Sequence, residues 1–349
     1  MKYSVIGIIG FICLLAASCG KRVEPTFSHE ECNGIYYWKT TFAEDSATDA
    51  FLQKHHVGHV YLRMFDVSYD SQALLEDEKL IPNASVRIDD YGPAITMPVT
   101  PTVYITLDAM RRMDGREGFW ADKIVTRVLN MCSYNRIDSI DGLQLDCDWT
   151  PSTEASFFAL CDSVRHFLSQ EKPGATLSST IRLHQLARKA PPVDYGVLMV
   201  YNTGNFNNPD EKNSIIDRAT VEPYLKYLDS YPLHLDVAYP TYSWYLLFHR
   251  REFKGLIQQI DLSDTTVFGQ NKAGSYVVKK RHMSGRLLLN EGDIVRHEQS
   301  AFEEVYAVKR MIENRLKGRP HSNILYHLDI ENLSKYSDNE IDSLYTVGR

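Results

Sequence analysis

The stretch Asp141-Gly-Leu-Gln-Leu-Asp-Cys-Asp-Trp-Thr150 constrains the chain more than any other. Leu143, Leu145, Cys147 and Trp149 share one face, and Gln144, Asp146 and Asp148 the other, as alternate residues of a strand must. A helical pattern follows at once: Phe157, Leu160, Cys161, Val164 and Phe167 recur at helical spacing, with Ser152 or Thr153 placed to cap the start. A strand feeding a helix predicts a parallel βα unit, in which both strand faces are buried. Carboxylates on a buried face each cost on the order of several kcal/mol unless they are paired, hydrogen-bonded or open to a cleft. Asp146 and Asp148 are therefore candidates for chemistry.

The same alternation of types runs along the chain. Strand-like segments at 34–38, 59–67, 102–107, 141–150, 176–183, 195–202, 233–242 and 321–332 are separated by mostly helical patterns, including 45–56, 120–131, 221–228 and the run carrying Phe302, Val305, Val308, Ile312 and Leu316. Eight such repeats predict a (β/α)8 barrel of TIM type, with its site at the C-terminal ends of the strands. Pro98 and Pro101 are expected to mark edges or bends around the third strand. Residues 263–292, with Gly269, Gly274 and Gly285, read as a small β-rich insertion between strands seven and eight. No Gly-rich loop follows the first strand, which counts against a dinucleotide-binding open sheet. A length of 349 residues accommodates one barrel domain over 33–349. The net charge of -7 and the lack of a Lys/Arg block argue against a nucleic-acid partner.

At the N-terminus, Lys2 precedes an apolar run from Val5 to Ala17 that ends in Ala16-Ala17-Ser18-Cys19. This resembles a bacterial lipoprotein signal peptide over 1–18, with Cys19 as the lipidated residue and 19–32 as a tether. The expected location is the cell envelope, anchored to a membrane, an outer membrane in preference. Of the remaining cysteines, Cys32, Cys132, Cys147 and Cys161, none has metal-ligand spacing. Cys147 and Cys161 read as small buried hydrophobes. His55 and His56 read as solvated helix-end residues.

With the strand order in place, Asp141-Gly-Leu-Gln-Leu-Asp-Cys-Asp148 resembles the strand-four signature of glycoside hydrolase family 18, the chitinase-like barrels, usually written DGxDxDxE. Met199-Val-Tyr201-Asn202 is similar to that family's M-x-Y-D, Tyr239-Pro240-Thr241-Tyr242 to its P-x-Y, and Tyr326-His-Leu-Asp329 to its W-x-L-D. The resemblance implies that Asp148 stands where a general acid protonates the leaving oxygen. It implies that Asp146 orients and charge-stabilises a substrate N-acetyl group, which itself attacks the anomeric carbon, and that Tyr201 and Asn202 contact that group. Asp148 replaces a glutamate, Gln144 another carboxylate, and Asn202 an aspartate; the first change shortens the reach of the acid by one methylene.

Tyr242, Tyr326 and Trp38 are candidates to stack on sugar faces, and strand parity leaves open whether Tyr326 or His327 faces the barrel. Tyr36 is a mouth or core residue, and Trp244 and Tyr245 are further subsite candidates. Arg63 and Arg182 either clamp an anionic ligand or neutralise Asp146. No cofactor is implied. No metal is expected, although the Asp146, Asp148 and Gln144 set offers oxygen ligands of the kind a hard cation takes. The expected function is an envelope-anchored, glycoside-hydrolase-like protein that acts on or recognises N-acetylglucosamine-containing glycans. The alternatives are a non-catalytic glycan-binding lipoprotein and a scaffold or partner-binding lipoprotein.

Overall fold

A computed structural model describes residues 30–42, 45–88, 97–257, 259–271 and 274–348. The proposed lipidation site Cys19 and nearly all of the tether lie outside them. Eight parallel strands form the centre: β1 (Asn33–Tyr37), β2 (Val57–Tyr69), β3 (Val99–Ile105), β4 (Gly142–Cys147), β5 (Thr176–Arg182), β6 (Tyr195–Met199), β7 (Leu235–Pro240) and β8 (Asn323–Tyr326). β1 pairs with both β2 and β8, so the sheet closes. The fold is the (β/α)8 barrel that the repeat of strand and helix patterns predicts.

Outward-facing apolar residues hold the helices on. Leu143, Leu145 and Cys147 of β4 are fully buried, and the helix Glu154–Glu171 buries Phe157, Leu160, Cys161, Val164 and Leu168. Trp149 stacks on Phe157 at 6.2 Å beneath them. Thr106 ends β3 and caps the helix Leu107–Met113 by accepting from the Ala109 N–H at 3.2 Å, so the third strand ends earlier than the expected residue 107. Between β2 and β3 the described residues carry a short 3-10 turn, Glu76–Glu78, an antiparallel strand, Leu80–Asn83, and a two-residue strand, Arg87–Ile88, that pairs with Thr41–Phe42.

Inside the barrel the filling is aromatic and polar rather than purely aliphatic. Tyr36 stacks on Tyr61 at 4.8 Å. The Tyr61 and Tyr195 hydroxyls meet at 3.3 Å, and the Tyr36 hydroxyl donates to Gln144 Oε1 at 2.7 Å. These hydroxyl and amide groups thus find partners across the barrel, which is what makes their burial tolerable.

Local expectations are corrected in several places. Pro101 lies inside β3, not at its edge. Because proline has no N–H to give the ladder, β3 and β4 touch through the isolated bridge Val99/Ile140 and resume regular pairing only at Thr102/Gln144. Residues 221–228 are not an α-helix: the α-helical turn Arg218–Val221 passes into a 3-10 helix, Glu222–Ser230. Pro223 cannot donate back to the Ala219 carbonyl, which ends the α-helical ladder there. His55 is buried rather than solvated, its Nδ1 lying 2.7 Å from Asp342 Oδ1 on the last helix, while His56 is exposed.

The insertion between β7 and β8 is wider than residues 263–292. A five-stranded antiparallel sheet runs from Ser243 to Gln299, in the order Glu252–Ile257, Ser243–His249, Ile294–Gln299, Tyr276–Val278, Phe268–Gln270. It has its own apolar cluster of Leu247, Ile257, Val267, Phe268, Val278, Leu289 and Val295.

Candidate functional site

The acidic face of β4 points into the barrel and toward its C-terminal mouth. Gln144 is the deepest, bonded to Tyr36 and, through its amide nitrogen, to Ser178 Oγ at 3.2 Å. Asp146 lies one pleat higher with its side chain only 4% exposed, and Asp148, just beyond the strand end, is 47% exposed. Arg182, the last residue of β5, reaches across to both. Its Nε donates to Asp148 Oδ1, and its terminal nitrogen donates to Asp146 Oδ1 at 3.1 Å. Thr180, two residues earlier on the same face, donates to that same Asp146 oxygen at 2.6 Å.

One guanidinium therefore serves two carboxylates. Burial raises the Asp146 pKa and the neighbouring Asp148 charge adds to this, while Arg182 and the Thr180 hydroxyl pull it down; the net direction is up. Burial opposes the charge on Arg182, and Asp146 and Asp148 together outweigh it, holding it a firm cation. The guanidinium is engaged by both Asp146 and Asp148. Arg63 does not reach the acids of β4. It pairs with Asp66 through Nε at 2.8 Å, donates to the Trp38 carbonyl at 3.2 Å, and lies 5.5 Å from the Trp38 ring centroid.

Aromatic rings line the rest of the mouth. Tyr326, at the end of β8, stacks on Tyr201 at 4.5 Å and packs against Trp38 at 5.7 Å and Tyr242 at 5.8 Å. The question of parity is answered by these contacts: the Tyr326 ring is in the barrel mouth, while His327 is held away with burial lowering its pKa to about 4. Tyr36 is core, fully buried beneath Tyr326 and Trp38. Tyr242 donates its hydroxyl hydrogen to Asn202 Oδ1 at 2.7 Å. Asn202 is itself in the left-handed region, with φ of 53°, which asparagine tolerates better than most residues. Trp244 donates to Glu298 at 2.6 Å, and Tyr245 stacks on His297 at 4.5 Å, so both are tied into the insertion sheet.

Gln144, Asp146, Asp148, Arg182, Tyr201, Asn202, Tyr242, Tyr326 and Trp38 thus gather at one end of the barrel. A cavity of about 300 Å³ opens there, lined by Asp148, Arg182, Met199, Tyr201 and Asn202. Its far wall comes from His184, Phe206 and Tyr224, which the sequence did not single out. His184 and Tyr224 lie on the 3-10 helices Leu183–Ala187 and Glu222–Ser230, and Phe206 on the loop after β6. Burial lowers the His184 pKa. A larger cavity, about 510 Å³, lies at the opposite end between the strand starts, where His59 contacts Asp141 at 3.2 Å and Thr100 at 2.9 Å. The mouth is the better candidate, because its acids and rings project from several different strand ends.

No family model matches this sequence, and no curated protein matches it. Among solved structures, the Bacillus cereus spore cortex-lytic enzyme SleL superposes with a TM-score of 0.50 at 14% identity, covering 93% of this chain and 76% of that one. The GH18 chitinase ChiB from the chitin utilization locus of Flavobacterium johnsoniae gives 0.49 at 10% identity, covering 90% and 94%. A chitinase of Chromobacterium violaceum gives 0.47 at 12% identity, covering 90% and 98%. The likeness to SleL is one of fold, and the chain shares that barrel.

Proposed function

We propose that the barrel mouth recognises N-acetylglucosamine-containing glycans without hydrolysing them. The observation that carries this reading is Arg182. A general acid must arrive protonated and within about 2.6–3.2 Å of the leaving oxygen. Asp148 instead spends Oδ1 as the acceptor of a charge-assisted bond from Arg182, and it is a methylene shorter than glutamate. A misplacement of about 1 Å costs on the order of a hundredfold in rate.

Binding needs less. Trp38 and Tyr326, the half-buried rings of the mouth, offer flat faces to the apolar side of a pyranose, with Tyr201 and Tyr242 packed behind them. Because the Tyr242 hydroxyl donates to the oxygen of Asn202, the Asn202 amide hydrogens are directed elsewhere and suit an acetamido carbonyl.

The test is calorimetric titration with chitooligosaccharides, beside an assay for new reducing ends on the same sugars and on N-glycans. Saturable binding that Trp38→Ala weakens at least tenfold, with no new reducing ends, is the expected result. Release of reducing ends by the unaltered protein would overturn the claim, and absence of binding to any such glycan would leave the barrel a scaffold. We further propose that Cys19 is lipidated and holds the protein in the cell envelope; membrane-fraction retention of Cys19→Ser that survives a high-salt wash, which screens electrostatic contacts, would sink this part alone.

A further inference from the structure

The insertion carries a two-stranded ribbon, His282–Ser284 paired with Leu287–Leu289, that differs in charge from the rest of the molecule. Gly285 takes the first central turn position with φ of 58°, as a tight two-residue hairpin of the II′ kind requires. The inward face is anchored: Leu289 is fully buried, and its partner His282 packs edge-on against Phe268 at 5.8 Å. The outward face pairs Met283 with Leu288, which are 55% and 37% exposed. Arg281 and Arg286 flank this apolar pair, and Lys279 and Lys280 precede it, all exposed. No carboxylate lies within ion-pair distance of any of these four cations among the described residues. Lys279 and Lys280 rest on the Thr265 carbonyl at 2.8 Å and the Thr266 hydroxyl at 3.2 Å. Asp264, beside Thr266, is the nearby acid, its pKa lowered mainly by the Thr266 hydroxyl and N–H and in smaller part by Lys280.

We propose that this ribbon docks on the surface of an anionic phospholipid bilayer, its arginines on headgroup phosphates and Met283 and Leu288 entering the interface. A chain of net charge -7 is repelled as a whole by such a surface, so contact has to be made by a local cationic patch. Arginine suits phosphate because its planar fork donates in pairs. The exposed apolar pair favours a bilayer over a soluble polyanion, which would gain nothing from Met283 and Leu288. An interfacial contact combines both terms.

The experiment uses residues 20–349, which contain every described element, in co-sedimentation with vesicles of phosphatidylcholine alone or mixed equally with phosphatidylglycerol. Partition onto the phosphatidylglycerol vesicles only is expected. Each Lys or Arg removed should weaken it about fivefold, so Arg281→Gln with Arg286→Gln should lower it by about 25-fold. Met283→Ser with Leu288→Ser should also lower it severalfold. These side chains are exposed, and an unchanged thermal melt verifies that the variants fold. Equal partition onto both vesicles, or none, overturns the proposal. So does loss with the arginine pair but not with the Met283/Leu288 pair when heparin competes, because that pattern marks a polyanion site.

Discussion

Arg182 enters the mouth from β5 and sets the character of the two acids on β4. Removing a partner from a buried ion pair leaves an uncompensated charge, at a cost of about 3–5 kcal/mol. Arg182→Met is therefore expected to destabilise the protein by about that much in urea unfolding, since Asp146 is almost fully buried. Adding Asp146→Asn should recover most of the loss, because the neutral amide still accepts from Thr180. A loss that the second change leaves untouched would mean that Arg182 acts through packing alone. If Asp148→Glu in the presence of Arg182 gained hydrolysis, reach rather than charge would have been limiting. The acids themselves were legible: a strictly alternating strand before a helix cannot bury carboxylates without reason. Their partner was only one of two readings for Arg182, because nothing in the spacing shows which side chains meet across a barrel.

At the scale of elements, β4 can lie where it does because Gly142 has no side chain. A Cβ there would stand 2.5 Å from both the Thr176 carbonyl and hydroxyl oxygens of β5. Gly142→Ala should cost about 1–3 kcal/mol by forcing the two strands apart, read as a lowered midpoint of thermal unfolding. An unchanged midpoint would show that the β4–β5 contact yields freely. Strand and helix identities were readable from period 2 against period 3.6, while their ends were not. Thr106 stops β3 by capping a helix, Pro101 is absorbed by a gap in one ladder, and Pro223 converts an α-helical pattern into a 3-10 one. The insertion was misjudged at its edges for a related reason. Tyr242, Trp244 and Tyr245 all read as subsite candidates, but from Ser243 onward the chain has left the barrel for a second sheet.

For the molecule as a whole, acid stability exposes a buried base. His327 has a folded pKa near 4 against an ordinary 6.5, chiefly through burial, and its Nδ1 is buried without a hydrogen-bond partner among the described residues. Above pH 6.5 both folded and unfolded chains hold it neutral. As the pH falls from 6.5 toward 4 the unfolded chain takes the proton first, so stability is lost across that window, by up to about 3 kcal/mol. His327→Gln should flatten that acid limb when urea midpoints are compared at pH 7 and pH 4.5. A limb of the same slope would assign the effect to other groups. Asp146, raised rather than lowered, contributes with the opposite sign: the folded chain holds its proton longer, so it gains stability as the pH drops through its folded value.

By itself the sequence determined the barrel, its strand order and the acidic face of β4, because these follow from local periodicity and from the cost of burying charge. The tertiary structure alone decided that Arg182 takes both acids, that Tyr326 rather than His327 enters the mouth, that His55 is buried under the last helix, and that His184, Phe206 and Tyr224 complete the cavity. Those outcomes depend on contacts between residues tens to hundreds of positions apart. Period and propensity act over a few residues, whereas closure of a barrel chooses partners among side chains whose local patterns carry no record of one another.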